Sequence, residues 1–116
     1  MSLPVADVGA SRAFYEAALA LLGFEIAVER VDAVGFGPDG DDDFWIVPGG
    51  PTTPPLHLAF RATDREAVDA FHEAALTHGG RDNGAPGFRP QYYPGYYGAY
   101  VLDPDGHNVE AVFHDR

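Results

Sequence analysis

A heptapeptide occurs twice in this chain. Ala13-Phe14-Tyr15-Glu16-Ala17-Ala18-Leu19 returns as Ala70-Phe71-His72-Glu73-Ala74-Ala75-Leu76, identical at all but one position and offset by 57 residues. Asp7 and Asp64 each stand six residues before the repeated alanine, and Gly23 falls close to Gly79 and Gly80 on the same offset. A second echo lies downstream, where Pro38-Asp39-Gly40 and Pro104-Asp105-Gly106 each precede a short apolar run. Two similar halves mean a duplicated folding unit. Duplication places the functional surface where the copies meet.

Each half carries the same order of patterns. Leu3 to Val5 reads as a strand, and Asp7 caps a helix from about Gly9 to Leu22 that Gly23 ends. Phe24 to Val28, Val31 to Phe36 and Phe44 to Val47 read as three further strands. Pro48 to Pro55 holds four prolines and two glycines, a linker composition. The second copy opens with Leu56 to Arg61, where Leu56, Leu58 and Phe60 alternate with His57, Ala59 and Arg61. Asp64 caps a helix with an apolar face of Ala67, Val68, Phe71, Ala74, Ala75 and Leu76. Arg81 to Ala85 is expected as a short strand and Pro86 to Gly95 as a loop. Tyr97 to Leu102 and Asn108 to Phe113 are the last two strands, joined at Asp103-Pro104-Asp105-Gly106. The fold class is therefore α+β. Two βαβββ modules, about 1–50 and 56–116 with a linker at 48–55, form one domain with a curved mixed sheet of eight strands. The helices lie outside, and the concave side is left as a pocket.

Composition narrows the function classes. At 116 residues the chain buries a core without disulfide staples, and it has no cysteine for a disulfide, a thiolate metal site or a thiol nucleophile. That suits a cytoplasmic protein. No apolar run approaches the roughly 20 residues that span a bilayer, and no secretory signal pattern opens the chain. The net charge of -11, with arginine as the only basic residue besides histidine, repels phosphate backbones and argues against a nucleic-acid partner. It attracts cationic small molecules.

Two side chains stand out. In Asn108-Val109-Glu110-Ala111-Val112-Phe113 the more apolar face meets the helix, so Glu110 faces the concave side. His57 has the same placement opposite Leu56, Leu58 and Phe60. An imidazole nitrogen with a carboxylate oxygen suits Zn, Ni, Fe, Mn or Co better than Ca or Mg. Taken singly, His57 also reads as a hydrogen-bonded pocket histidine, and Glu110 as the partner of an arginine.

Val5-Ala6-Asp7, Ser11, Ala13-Phe14-Tyr15 and Leu22-Gly23-Phe24 resemble the opening of a vicinal oxygen chelate domain. That superfamily holds glyoxalases, extradiol dioxygenases and bleomycin-resistance proteins. Asp103-Pro104-Asp105-Gly106-His107-Asn108-Val109-Glu110 is similar to its closing motif. The resemblance covers nearly the whole chain and implies paired βαβββ modules and a divalent metal held from the first and last strand of each module. His57 and Glu110 are then the ligand positions of the second module. The first module departs from that pattern. Shifted by the repeat offset, His57 falls one residue before Met1, and Glu110 maps to Phe44, or to Trp45 if the acidic turn carries an extra residue. Neither aromatic binds a metal.

Phe88 to Tyr97 gathers four tyrosines around Arg89. Tyr92, Tyr96 and Tyr97 are expected to grip a small organic ligand as a lid, Arg89 to hold a carboxylate in two-point fashion, and Trp45 to line the opposite wall. The same tyrosines also suit a dimer interface. His72, His78 and His107 are expected in solvent, and His114 is an outside candidate for a third ligand. Two functions follow. One is a glyoxalase-like small-molecule enzyme (lyase, isomerase or dioxygenase type), with Glu110 as metal ligand or general base. The other is a binding protein that sequesters a cationic aromatic compound. A homodimer module without a ligand is a third reading.

Overall fold

The computed structural model describes residues 1–115. The first module runs β1 (Ser2–Val5), α1 (Val8–Ala20), β2 (Glu25–Glu29), β3 (Val34–Gly37), a 3-10 turn (Pro38–Gly40) and β4 (Phe44–Pro48). The second runs β5 (His57–Arg61), α2 (Arg65–Thr77), β6 (Arg81–Phe88), β7 (Tyr96–Leu102) and β8 (Asn108–His114). The repeat sets matching helix starts. The Asp7 carboxylate accepts from the Ala10 N–H at 3.1 Å and the Asp64 carboxylate from the Ala67 N–H at 2.8 Å, which satisfies an otherwise orphaned donor in each first turn. Gly23 and Gly79, at φ of 85° and 95°, take the left-handed conformation that lets the chain leave each helix.

The eight strands divide into two four-stranded sheets, ordered β1-β4-β3-β2 and β5-β8-β7-β6, instead of one continuous eight-stranded sheet. In each, the outer strand β1 or β5 pairs parallel to the last strand of its module, and the remaining pairs are antiparallel. One face of each sheet is covered by its own helix. Phe14, Tyr15, Ala18 and Leu19 of α1 are buried, as are the repeat-equivalent Phe71 and Ala75 of α2 together with Val68. The opposite faces are left open.

The copies share one apolar core. A single cluster runs from Leu3, Phe36 and Ile46 through Phe14 to Phe71, Val101 and Ala111. Helix α1 packs on α2, and the Phe60 ring meets Phe24 and Phe44 edge-on at 5.6 Å and 5.5 Å. The Asp103–His107 turn fastens the seam. Asp103 is buried, and its carboxylate accepts from the Tyr15 hydroxyl at 2.5 Å and from the Asp105 and His107 N–H groups at 2.9 Å. The Leu56 N–H donates to His107 Nδ1 at 2.8 Å, and the Ala6 N–H to Asp105 at 3.2 Å.

Several expectations are corrected here. His107 is fully buried, because its ring is the acceptor that holds the incoming β5. His72 is mostly covered and pairs with Asp82 at 3.0 Å, whereas His78 is exposed. Strand β3 starts at Val34, leaving Val31 exposed in the turn before it. Strand β6 continues to Phe88 and absorbs the first part of the expected loop. It does so as an edge strand whose register slips around Gly84 and before Gly87, where a proline and glycines are tolerated.

Candidate functional site

Strand register decides which side chains share the open face of the second sheet. In the β5–β8 pair, His57 lies beside Asn108 and Ala59 beside Glu110. In the β7–β8 pair, Tyr100 lies opposite Glu110 and Tyr96 opposite His114. Side chains alternate between faces, so His57, Tyr96, Tyr100, Asn108 and Glu110 all point away from α2. With Tyr92 they line an open cavity of about 530 Å³.

Glu110 and His57 are in direct contact, with Nε2 2.8 Å from Oε1. The carboxylate side chain is 3% exposed and the imidazole 56%. The ring therefore caps the carboxylate from the solvent side. The second carboxylate oxygen, Oε2, is buried and has no hydrogen-bond partner. It sits beside Gly98, where a Cβ would come within 3.6 Å of it. Burial raises the Glu110 carboxyl above its ordinary value, and His57 and then Arg89 pull it part of the way back. A buried titratable group in a cleft marks a candidate functional site.

Tyrosines form the wall. Tyr96 packs edge-on against Tyr92 and Tyr93, with ring centroids at 5.0 Å in both pairs, and Tyr93 stacks on His114. The Tyr100 hydroxyl reaches that of Tyr96 at 3.3 Å, bridging over Gly98. The Arg89 guanidinium lies 5.3 Å over the Tyr100 ring.

Three expected site residues are placed otherwise. Tyr97 faces the helix: its hydroxyl donates to Asp69 of α2 at 2.6 Å, so it lies outside the cavity. Arg89 does not present its fork to a ligand, because its terminal nitrogens donate to the Gly87 and Ala85 carbonyls at 2.8 Å each. Trp45 pairs with Ser2 and Gly35 just as Glu110 pairs with Ala59 and Tyr100. It thus holds the Glu110 position of the first module, ahead of Phe44. Its indole lies over Gly35, donates to Asp42 at 3.2 Å and carries Arg30 at 5.6 Å, and it does not line the Glu110 cavity. The first-module residues near His57 are instead Met1, Phe24, Asp43 and Phe44, around an adjoining cavity of about 410 Å³. Tyr100 and Asn108 are site residues that the sequence reading missed. Alternation was the available signal, because Tyr96 and Tyr100 share a face of β7 that the neighbouring Tyr97 cannot share.

Metal ligation was tested on the donors present. Among the described residues, no three His, Cys, Asp or Glu side chains come together. His57 and Glu110 are two donors already bonded to each other, and His114 is engaged with Tyr93 higher on the sheet. A catalytic zinc takes three protein ligands, so this set does not fit a resident metal. A second cavity, of about 540 Å³ between the start of α1 and residues 30–34, contains no buried ionisable side chain.

Comparisons bear on the same geometry. A family model described as "Glyoxalase/Bleomycin resistance protein/Dioxygenase superfamily" matches residues 1–111. The fold is similar to a glyoxalase/bleomycin resistance protein from Albidiferax ferrireducens T118, 31% identical over 97% of this chain and 93% of that one, with a TM-score of 0.82. It is also similar to a glyoxalase-related enzyme from Fulvimarina pelagi (22% identity, 97% and 84% coverage, TM-score 0.73). A lactoylglutathione lyase from Agrobacterium tumefaciens shares the fold at 20% identity (97% and 90% coverage, TM-score 0.65). Comparison with functionally curated proteins gave no match.

Proposed function

Because the chain belongs to the glyoxalase/bleomycin resistance protein/dioxygenase superfamily, we propose that it acts on a small organic molecule held on the open face of the second module, with Glu110 as the group that exchanges a proton with it. One observation carries this reading: a nearly fully buried carboxyl, capped by the His57 imidazole, sits at the floor of a cavity walled by tyrosines. Burial favours the protonated form and so brings the proton affinity of Glu110 closer to that of a weak carbon or hydroxyl acid. His57 orients the carboxylate through Oε1 and leaves Oε2 as the exchanging atom. Tyr100 and Tyr96 position the ligand and keep water from the carboxyl. The cysteine-free composition suits the cytosol, and the two open sheet faces suit a homodimer.

Members of the superfamily commonly use divalent metals, but the donors present here do not make such a site, and the steps above run through none. Sequestration without turnover is the second reading, favoured by the density of tyrosine rings around a single carboxyl. The two are separated by assaying a panel of small carbonyl and aromatic compounds for turnover and for binding. The enzymatic reading expects turnover that falls at least about 100-fold in Glu110→Gln and survives dialysis against a chelator. Binding with no turnover of any bound compound supports sequestration, and turnover undiminished in Glu110→Gln contradicts the assignment of Glu110.

A further inference from the structure

The charges around the Glu110 cavity are one-sided. Its lining is His57, Tyr92, Tyr96, Tyr100, Asn108 and Glu110, with no lysine or arginine among them. The nearby guanidinium, that of Arg89, spends both terminal nitrogens on backbone carbonyls and its face on Tyr100. No cation is therefore presented to an incoming anion. The Glu110 Oε2 is a buried acceptor without a donor, and a buried carboxylate oxygen is stabilised most by a charged N–H. The tyrosine faces add attraction for a cation, because the ring quadrupole is negative above the plane. The chain's net charge of -11 draws cations towards it from a distance.

We infer that the ligand of this cavity is a protonated aromatic amine, its ammonium N–H meeting Glu110 and its ring lying against Tyr92 and Tyr96. The inference rests on the cavity being the ligand site and adds the ligand's charge and donor. It also gives Arg89 a new role: the guanidinium stiffens the bulged β6 and holds Tyr100 upright, and it does not receive a carboxylate. Quaternary ammonium compounds share the charge but bring no N–H to Oε2, so they bind less well than the primary amine.

The test is a set of titrations, followed by the ring and amide NMR signals of the cavity residues. The probes are phenethylammonium, phenethyltrimethylammonium, neutral 2-phenylethanol and anionic 3-phenylpropionate. Phenethylammonium is expected to bind at least about 10-fold tighter than 2-phenylethanol, and 3-phenylpropionate to leave the cavity signals unmoved. Glu110→Gln is expected to remove most of the preference for the amine. Tyr92→Ala, at an exposed ring that the fold does not need, is expected to weaken every aromatic probe. Equal binding of the alcohol, or tighter binding of the carboxylate, overturns the charge assignment and leaves the cavity as the ligand site. Stronger binding of the trimethylammonium compound overturns the N–H contact. Failure of all four probes to move the cavity signals overturns the site and the inference together.

Discussion

A buried carboxyl with one unpartnered oxygen destabilises the fold that holds it, and Glu110 is such a group. Its folded proton affinity is raised, chiefly by burial. The sign follows: the folded state binds the proton more tightly than the unfolded one, so the contribution of Glu110 is most favourable below the ordinary glutamate value. It is lost as pH rises through the raised value, and at neutral pH the ionised group costs stability. Glu110→Gln is therefore expected to raise the neutral-pH melting temperature by on the order of 4 °C, about 1 kcal/mol, with the gain vanishing at pH 4. Calorimetry at the two pH values checks this, and a lower melting temperature at neutral pH contradicts it. The Tyr15 hydroxyl is the opposite kind of residue, since it completes the buried Asp103 carboxylate. Tyr15→Phe is expected to cost about 2 kcal/mol in urea denaturation, because Asp103 Oδ2 loses its donor. His57 and Glu110 were legible in the sequence because each sits in a strand whose other face is plainly apolar. Tyr97 and Arg89 were not. Tyr97 was read as part of a loop, where alternation carries no information, and the partners of Arg89 are backbone carbonyls, which no side-chain pattern announces.

Elements were most legible where the repeat wrote them twice. Both helices begin at the aspartates that the offset pairs, Asp7 and Asp64. Asp64→Ala is expected to cost about 1 kcal/mol through loss of the cap at Ala67, measured as a shift in urea midpoint. Strand β6 was the least legible element, since Gly84, Pro86 and Gly87 are turn residues by propensity and survive in it only because an edge strand tolerates bulges. Strands β3 and β4 show how the copies have diverged. Trp45 replaces the carboxylate of the second module, and Gly35 replaces Tyr100 to make room for the indole. A Cβ at Gly35 would lie 2.7 Å from the Trp45 ring. Gly35→Ala is expected to displace that ring from its packed position. Trp45 is the only tryptophan, so its emission maximum reports the change directly. An unshifted maximum would show that the strand gives way and the ring does not move.

At the scale of the whole molecule, the duplication was legible but the arrangement of the sheets was not. Hydrophobic pattern shows which face of a strand is covered, and it does not show whether two edge strands hydrogen-bond to each other. The copies are joined through the shared core, the helix pair and the Asp103 turn, with each open face kept for its own module. A core common to both modules predicts one cooperative transition. Trp45 fluorescence from the first module and the Tyr97 and Tyr100 ring signals from the second are expected to share a single urea midpoint. The central claim is that the functional surface is the open face of the second module around Glu110. Chemical-shift mapping with a library of small aromatic fragments tests it most directly. The predicted result is a cluster of perturbed signals on His57, Tyr96, Tyr100, Asn108 and Glu110 that weakens in Glu110→Gln. A cluster centred instead on Arg12, Arg30 and Asp32 around the first-module cavity would contradict it.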